Sequence, residues 1–253
     1  MNQKKSLSGF GLAIACTEIL LMLAFSSVKA QAITFPPTQP RGAPARTVGG
    51  GQRGGGDDDI SCLSSNPPLT ALAPDNNVVT TVSANPSLFV YVPKTEAKSA
   101  ELVILDSETF QEVYQTKVDL KGIPGIIKLN IPSSVALKTG TQYLWKFSVF
   151  CNPEGFSIER FVTGHIERTE LNLDAKTKLE KAKEPLEKVE VYANAQVWQE
   201  TLSLLAQMHY ERPDDTNVTD AWREFLSSVK LEAIASQPLI ECCTVAPISK
   251  LQQ

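Results

Sequence analysis

Histidine is nearly missing from this chain: His165 and His209 are the only two in 253 residues. A Ser–His or Cys–His nucleophile must use one of them, and a histidine-rich zinc site has too few ligands. The chain also lacks Gly-x-Ser-x-Gly, Cys-x-x-Cys and the Gly-Lys-Ser/Thr that completes a phosphate-binding loop. The signatures of a hydrolase nucleophile elbow, a thiolate zinc site and a P-loop are therefore absent. An excess of positive charge is lacking too. Lys+Arg number 24 against 28 Asp+Glu, a net charge of −4, so there is no electrostatic footprint for nucleic acid, whose recognition rests on neutralising phosphates. Beyond residue 32 no apolar run approaches the ~20 residues of a membrane span. What remains, 42% hydrophobic and 21% charged, is an ordinary globular balance.

The start of the chain is distinctive. Lys4 and Lys5 precede an apolar stretch that runs to Phe25, and small residues close it at Ala30-Gln31-Ala32. A charged start, a short apolar middle and an Ala-x-Ala exit read as a secretory signal peptide over 1–30. Glu18 interrupts the stretch, which is too short for a spanning helix. Removing it takes away Lys4, Lys5, Lys29 and Glu18 and moves the net charge from −4 to −6. Export then places Cys62, Cys151, Cys242 and Cys243 in an oxidising compartment. Four cysteines allow three pairings. Adjacent Cys242 and Cys243 would close a strained ring with each other. Cys62–Cys151 is the preferred bridge, with unpaired thiols as the alternative.

Residues 31–72 read as a flexible linker rich in Gly, Pro and Arg, extended or disordered through Gly56, because glycine enlarges the unfolded ensemble and proline removes ladder donors. It carries Arg41, Arg46 and Arg53, candidate contacts for an acidic partner surface. From 73 to 170, seven short β-rich runs (78–82, 88–92, 101–106, 113–118, 126–131, 142–150 and 156–169) are separated by turn residues, the pattern of a β-sandwich. The sixth is clearest: Tyr143, Trp145, Phe147 and Val149 share one face, with Lys146 and Ser148 on the other. Leu137 to Tyr143 resembles the tyrosine corner of immunoglobulin-like domains. From 171 to 240 the period becomes helical. Asn172 or Asp174 caps a first helix, Pro185 opens a second, 197–208 forms a third and 215–229 a fourth. The last two make a hairpin resembling part of a tetratricopeptide repeat. Pro238 and Pro247 argue for an irregular tail over 241–253. The expected fold is α+β: an N-terminal immunoglobulin-like β-sandwich of about seven strands, then a helical unit.

The candidate chemistry is thin. Consecutive Asp57, Asp58 and Asp59 read as a solvated acidic patch, since the spacing of a calcium loop is absent. The histidines read as surface or helix-end residues. Glu101, Asp106, Glu108 and Glu112 cluster around a hairpin and read as its rim, although carboxylate pairs for glycoside chemistry are set by three-dimensional spacing. Asn217-Val218-Thr219 fits a glycosylation triplet. No catalytic residue, metal ligand or cofactor site is assigned.

One order of motifs is familiar. Arg-Gly-Ala-Pro-x-Arg-Thr-x-Gly-Gly-Gly-x-Arg-Gly from Arg41 to Gly54 leads to Cys62-Leu63, Leu-Thr-Ala-Leu-x-Pro from Leu69 and Pro-x-Leu-Phe-Val-Tyr-x-Pro from Pro86. Pro124-Gly125-Ile126 follows, then Tyr-x-Trp-x-Phe from Tyr143 to Cys151, Tyr-Ala-x-Ala-x-x-Trp from Tyr192 and Ala-Trp-x-x-Phe-Leu from Ala221. Together they resemble a family of exported cyanobacterial proteins catalogued only as a domain of unknown function. The resemblance implies an envelope or periplasmic setting and supplies no catalytic residues, substrate or cofactor; the expected localisation is periplasmic or extracellular. The expected function is non-enzymatic: binding or scaffolding of another envelope protein, with no transmembrane span after signal removal and no nucleic acid. The competing expectations are an envelope polysaccharide hydrolase with paired carboxylates and a carbohydrate-binding sandwich without catalysis.

Overall fold

Alternation at period two, interrupted by Pro, Gly, Asn and Asp, organises the first two-thirds of the chain. The structure is a computed structural model that describes residues 32–40, 51–53, 62–64, 66–151, 159–240 and 245–246, with backbone only for 51–53 and 245–246. All seven expected runs form strands: β3 (Val78–Thr81), β4 (Ser87–Val92), β5 (Ser99–Asp106), β6 (Glu112–Asp119), β7 (Gly125–Asn130), β8 (Gln142–Phe150) and β9 (Glu159–Arg168). Four short strands join them: β1 (Gly51–Arg53), β2 (Thr70–Ala71), β10 (Leu239–Ile240) and β11 (Val245–Ala246). Among the described residues they form two sheets. One runs β1-β9-β8-β5-β6-β11, with β3 also on β9, and the other runs β10-β7-β4-β2. Strand β3 lies parallel to β9 and β10 parallel to β7, and the remaining pairs are antiparallel.

Strand β8 explains the core. Its register sets Trp145 opposite Ile104 of β5 and Gly164 of β9, and Phe147 opposite Leu102 and Val162. Facing residues on adjacent antiparallel strands share a face, and these six are all buried. Gly164 is required there: a Cβ would lie 2.7 Å from Trp145 Nε1 and 3.0 Å from Asn77 Oδ1. The opposite face of β8 is mixed and mostly half-buried. Ser148 Oγ donates to Glu159 Oε1 at 2.6 Å, and Lys146 pairs with the same carboxylate while lying over the Phe161 ring.

The helices follow in sequence: α1 (Leu173–Lys181), α2 (Pro185–Asn194), α3 (Trp198–Glu211), α4 (Thr216–Ser227) and the short α5 (Glu232–Ala235). Asn172 caps α1 by accepting the Ala175 N–H, Pro185 occupies the first turn of α2, and Asp215 caps α4. Each satisfies, or in proline's case removes, an orphan donor at a helix start. The apolar stripes of α3 and α4 bury Trp198, Leu202, Leu205, Trp222 and Phe225.

The helices pack on the sheets: the described residues from 32 onward belong to one compact unit, and the helices share a core cluster with both sheets. The Trp198 backbone N–H donates to Thr80 Oγ1 and its indole N–H to the Leu72 carbonyl, both at 3.0 Å. The described parts of the 31–72 linker are not loose. Ile33 and Phe35 are buried, as are Leu69, Ala71 and Leu72, because three apolar side chains at positions 33, 35 and 69 find matching apolar slots. Leu239–Ile240, in the stretch expected to be helical, forms β10 beside β7, and in the 241–253 tail Val245–Ala246 forms β11 beside β6, so each sheet gains a short edge strand. Unpaired edge donors and acceptors favour such additions. Gly125 leaves the room, for a Cβ there would lie 2.8 Å from both Ile240 Cγ2 and the Pro238 carbonyl oxygen.

Candidate functional site

The open feature of the helical layer is a groove of about 430 Å³ between α1 and α2. It exists because α1 is short of apolar residues. Its nine residues bury only Ala175, and the side chains it turns to the groove are Asp174, Ala175, Lys178 and Lys181. Ala175, Ala182, Val191 and Ala195 give an apolar floor, while Lys178 and Lys181 line one wall and Glu187 and Glu190 the other. Two of these charges are already engaged. Lys178 Nζ is 2.7 Å from Asp174 Oδ2. Glu187 Oε2 accepts the N–H groups of Lys183 and Glu184 at 2.7 and 3.2 Å. The bonds from Glu184 and then Lys183 hold the Glu187 carboxyl below its ordinary value. Lys181 and Glu190 carry the remaining contrast of sign. Leu173, the first residue of α1, does not line the groove; it is 81% exposed, more than any other large apolar side chain among the described residues.

A second feature is filled by the chain itself. Residues 32–40 lie against α3 and α4, and Phe35 stands edge-on to Trp198 and Phe225 at centroid distances of 5.0 and 6.1 Å. The Phe35 N–H donates to Ser228 Oγ at 2.9 Å, and Asn76 Nδ2 donates to the Gln39 carbonyl at 3.0 Å. Both bonds engage backbone, so the segment is gripped as an extended peptide with one aromatic anchor.

The candidate residues read from the sequence fall in separate places. Cys62 and Cys151 are joined in a disulfide with Cα atoms 5.3 Å apart. Arg53 ends β1 opposite Glu159. Arg41, Arg46, Asp57 to Asp59, Cys242, Cys243 and the signal segment lie outside the described residues. His165 sits in β9 between Leu144 and Val78, and His209 stacks on Trp222 with centroids 5.4 Å apart. Burial favours the neutral imidazole at both, aided at His209 by Arg223. Asp106 holds the β5–β6 hairpin, accepting the N–H groups of Glu108 and Thr109 at 3.0 and 2.9 Å; the Thr109 and then the Glu108 bond lower its pKa. Glu101 accepts Gln115 Nε2 at 2.6 Å on the same hairpin. These carboxylates shape a turn and a strand pair.

Glu200 was not singled out by sequence. Its Oε1 accepts Thr81 Oγ1 at 2.8 Å and the N–H groups of Val82 and Ser83 at 3.1 Å each. Burial raises its pKa against the lowering effect of those bonds. It locks the first turn of α3 onto the end of β3.

No described helix is long and apolar enough to cross a membrane. No curated protein and no solved structure matches the chain. One family model does, over residues 48–239, a span that takes in the groove, every helix and all strands from β1 to the first residue of β10. On that match the chain belongs to the family described as Domain of Unknown Function (DUF928).

Proposed function

We propose that this is an exported, non-enzymatic protein of the periplasm or extracellular space that binds or scaffolds another envelope protein through its helical layer. The observation that carries the reading is the open α1–α2 groove, whose floor of Ala175, Ala182, Val191 and Ala195 is left uncovered by the chain itself. A concave apolar floor with a charged rim has the composition of a contact surface. The Cys62–Cys151 disulfide supports export, since such bonds persist in oxidising compartments.

Two finer points of architecture belong to the same reading. The Lys138 N–H donates to the Tyr143 hydroxyl at 3.0 Å, which supports an immunoglobulin-like sandwich with a tyrosine corner. The α3–α4 hairpin, gripping residues 32–40, supports kinship with tetratricopeptide-type helical pairs. The arginines of the 41–56 segment would add attraction to an acidic partner.

The test is capture from native envelopes by affinity-tagged protein, compared quantitatively with a Val191→Glu variant, which places a charge in the groove floor, that retains its helical circular dichroism. Specific partners lost in the variant support the reading. Identical captured sets remove the groove from it.

A further inference from the structure

Residues 32–40 are seated as a ligand would be. The backbone partners of Phe35, Pro37 and Gln39 are Ser228, Gln196 and Asn76, which stand 193, 159 and 37 positions away. Two of these groups are aimed by bonds of their own. Ser228 Oγ donates its proton to the Phe225 carbonyl at 2.7 Å, which leaves a lone pair for an incoming N–H. Asn76 Oδ1 accepts the Val78 N–H at 3.1 Å, which turns Nδ2 toward an incoming carbonyl.

Side-chain selection is confined to a few positions. Ile33 and Phe35 are buried while Ala32 and Thr34 are exposed, the period-two pattern of an extended chain. Pro36 and Pro37 fix φ and offer no N–H. The segment therefore stays extended without a sheet partner and has less freedom to lose on seating. The pattern read by the slot is apolar-x-aromatic-Pro-Pro.

The fit is incomplete just beyond it. A cavity of about 70 Å³ lies between Thr38 and Gln39 of the segment and Val78, Thr80 and Gln196 of the body. Well-matched contacts are packed as densely as protein interiors, so this space marks a side chain that the segment does not supply. A residue longer than threonine at that position would fill it.

We propose that this slot is a recognition site for an extended segment of a partner protein, of apolar-x-aromatic-Pro-Pro pattern with a long apolar residue next after the prolines, and that residues 32–40 hold it in cis as a displaceable stand-in. The inference goes beyond the groove reading and does not depend on it, since the cavity and the α1–α2 groove share no lining residue.

The experiment frees the slot without altering it. A protease site is built into the 41–50 stretch of the full chain, the folded protein is cut, and the released segment is removed by size exclusion. A fluorescent peptide of residues 32–40 is then titrated and followed by anisotropy. The cut protein is expected to bind it saturably. The uncut protein is expected to bind at least about tenfold more weakly, because a tethered segment competes at a high effective concentration. The peptide carrying Phe35→Ala is expected to bind at least about tenfold more weakly, having lost its aromatic anchor. The peptide carrying Thr38→Leu is expected to bind about threefold or more tightly, from added apolar burial. If cutting unfolds the protein, the peptide is expected to restore its circular dichroism. A cut protein that neither binds the peptide nor refolds with it overturns the proposal. So does equal binding of the Phe35→Ala peptide, or no gain from Thr38→Leu. None of these outcomes bears on capture through the α1–α2 groove, which Val191→Glu tests separately.

Discussion

Glu200 is a buried carboxylate whose one oxygen serves three donors at the end of β3. Removing it as Glu200→Ala leaves the Thr81 hydroxyl and two backbone N–H groups without that acceptor. We predict a loss of about 2–4 kcal/mol by urea denaturation, from the desolvation cost of unpaired groups. The pH dependence has a definite sign. Burial raises the folded pKa above the unfolded value, so the stability linked to this group is fully present below the unfolded pKa and is lost as pH rises through the folded one. Wild type should therefore lose ground to Glu200→Gln, which cannot ionise, as pH rises above about 4; parallel pH–stability curves would refute this. Gly164→Ala should cost about 1–3 kcal/mol or more by overpacking, because its Cβ would press on Trp145 and Asn77; denaturant midpoints measure it. Neither role was legible in the sequence. Glu200 falls on the polar side of the α3 period, and period alone cannot tell a polar side facing water from one facing the N–H groups of a strand end.

At the scale of elements, legibility followed length. The seven long strands and the first four helices were readable, because 78–169 alternates and 197–208 repeats its apolar residues at helical spacing. Helix caps came with them, Asn172 and Pro185 among them. Strands β1, β2, β10 and β11 have two or three residues each, too few to show a period, and their pairing depends on edges that only the folded sheets create. The same holds for residues 33–35, where one alternation of Ile, Thr and Phe had no visible partner. The groove was hidden for a related reason: its walls come from two helices, and only their packing sets Lys181 and Glu190 on opposite sides of one floor. The element-scale prediction concerns the tail. Gly125→Ala should displace β10 from β7, raising hydrogen exchange at Ile126, whose N–H donates to the Pro238 carbonyl at 2.8 Å, while the exchange of β8 stays unchanged. Equal protection at Ile126 in both proteins would mean that the tail docks without needing that gap.

At the scale of the whole molecule, the ties that count are long in sequence. The disulfide spans 89 residues, and in the chain-entropy picture closing a loop of that length restricts the unfolded state by roughly 4–5 kcal/mol. A Cys62→Ser, Cys151→Ser double variant should lose stability of that order in urea melts, with its sheet content retained under native conditions; a midpoint unchanged from wild type would contradict the tie. Phe35→Ala should cost about 3–5 kcal/mol in the same measurement, since its ring fills the angle between Trp198 and Phe225. That aromatic slot also imposes an order of events. Phe35 bonds to a serine 193 positions later, so during synthesis the earliest part of the described chain has no seat until the latest helices exist. A polypeptide arrested before residue 198 would leave its leading phenylalanine exposed to whatever chaperone or membrane lies nearby, and only completion of the chain would draw it in.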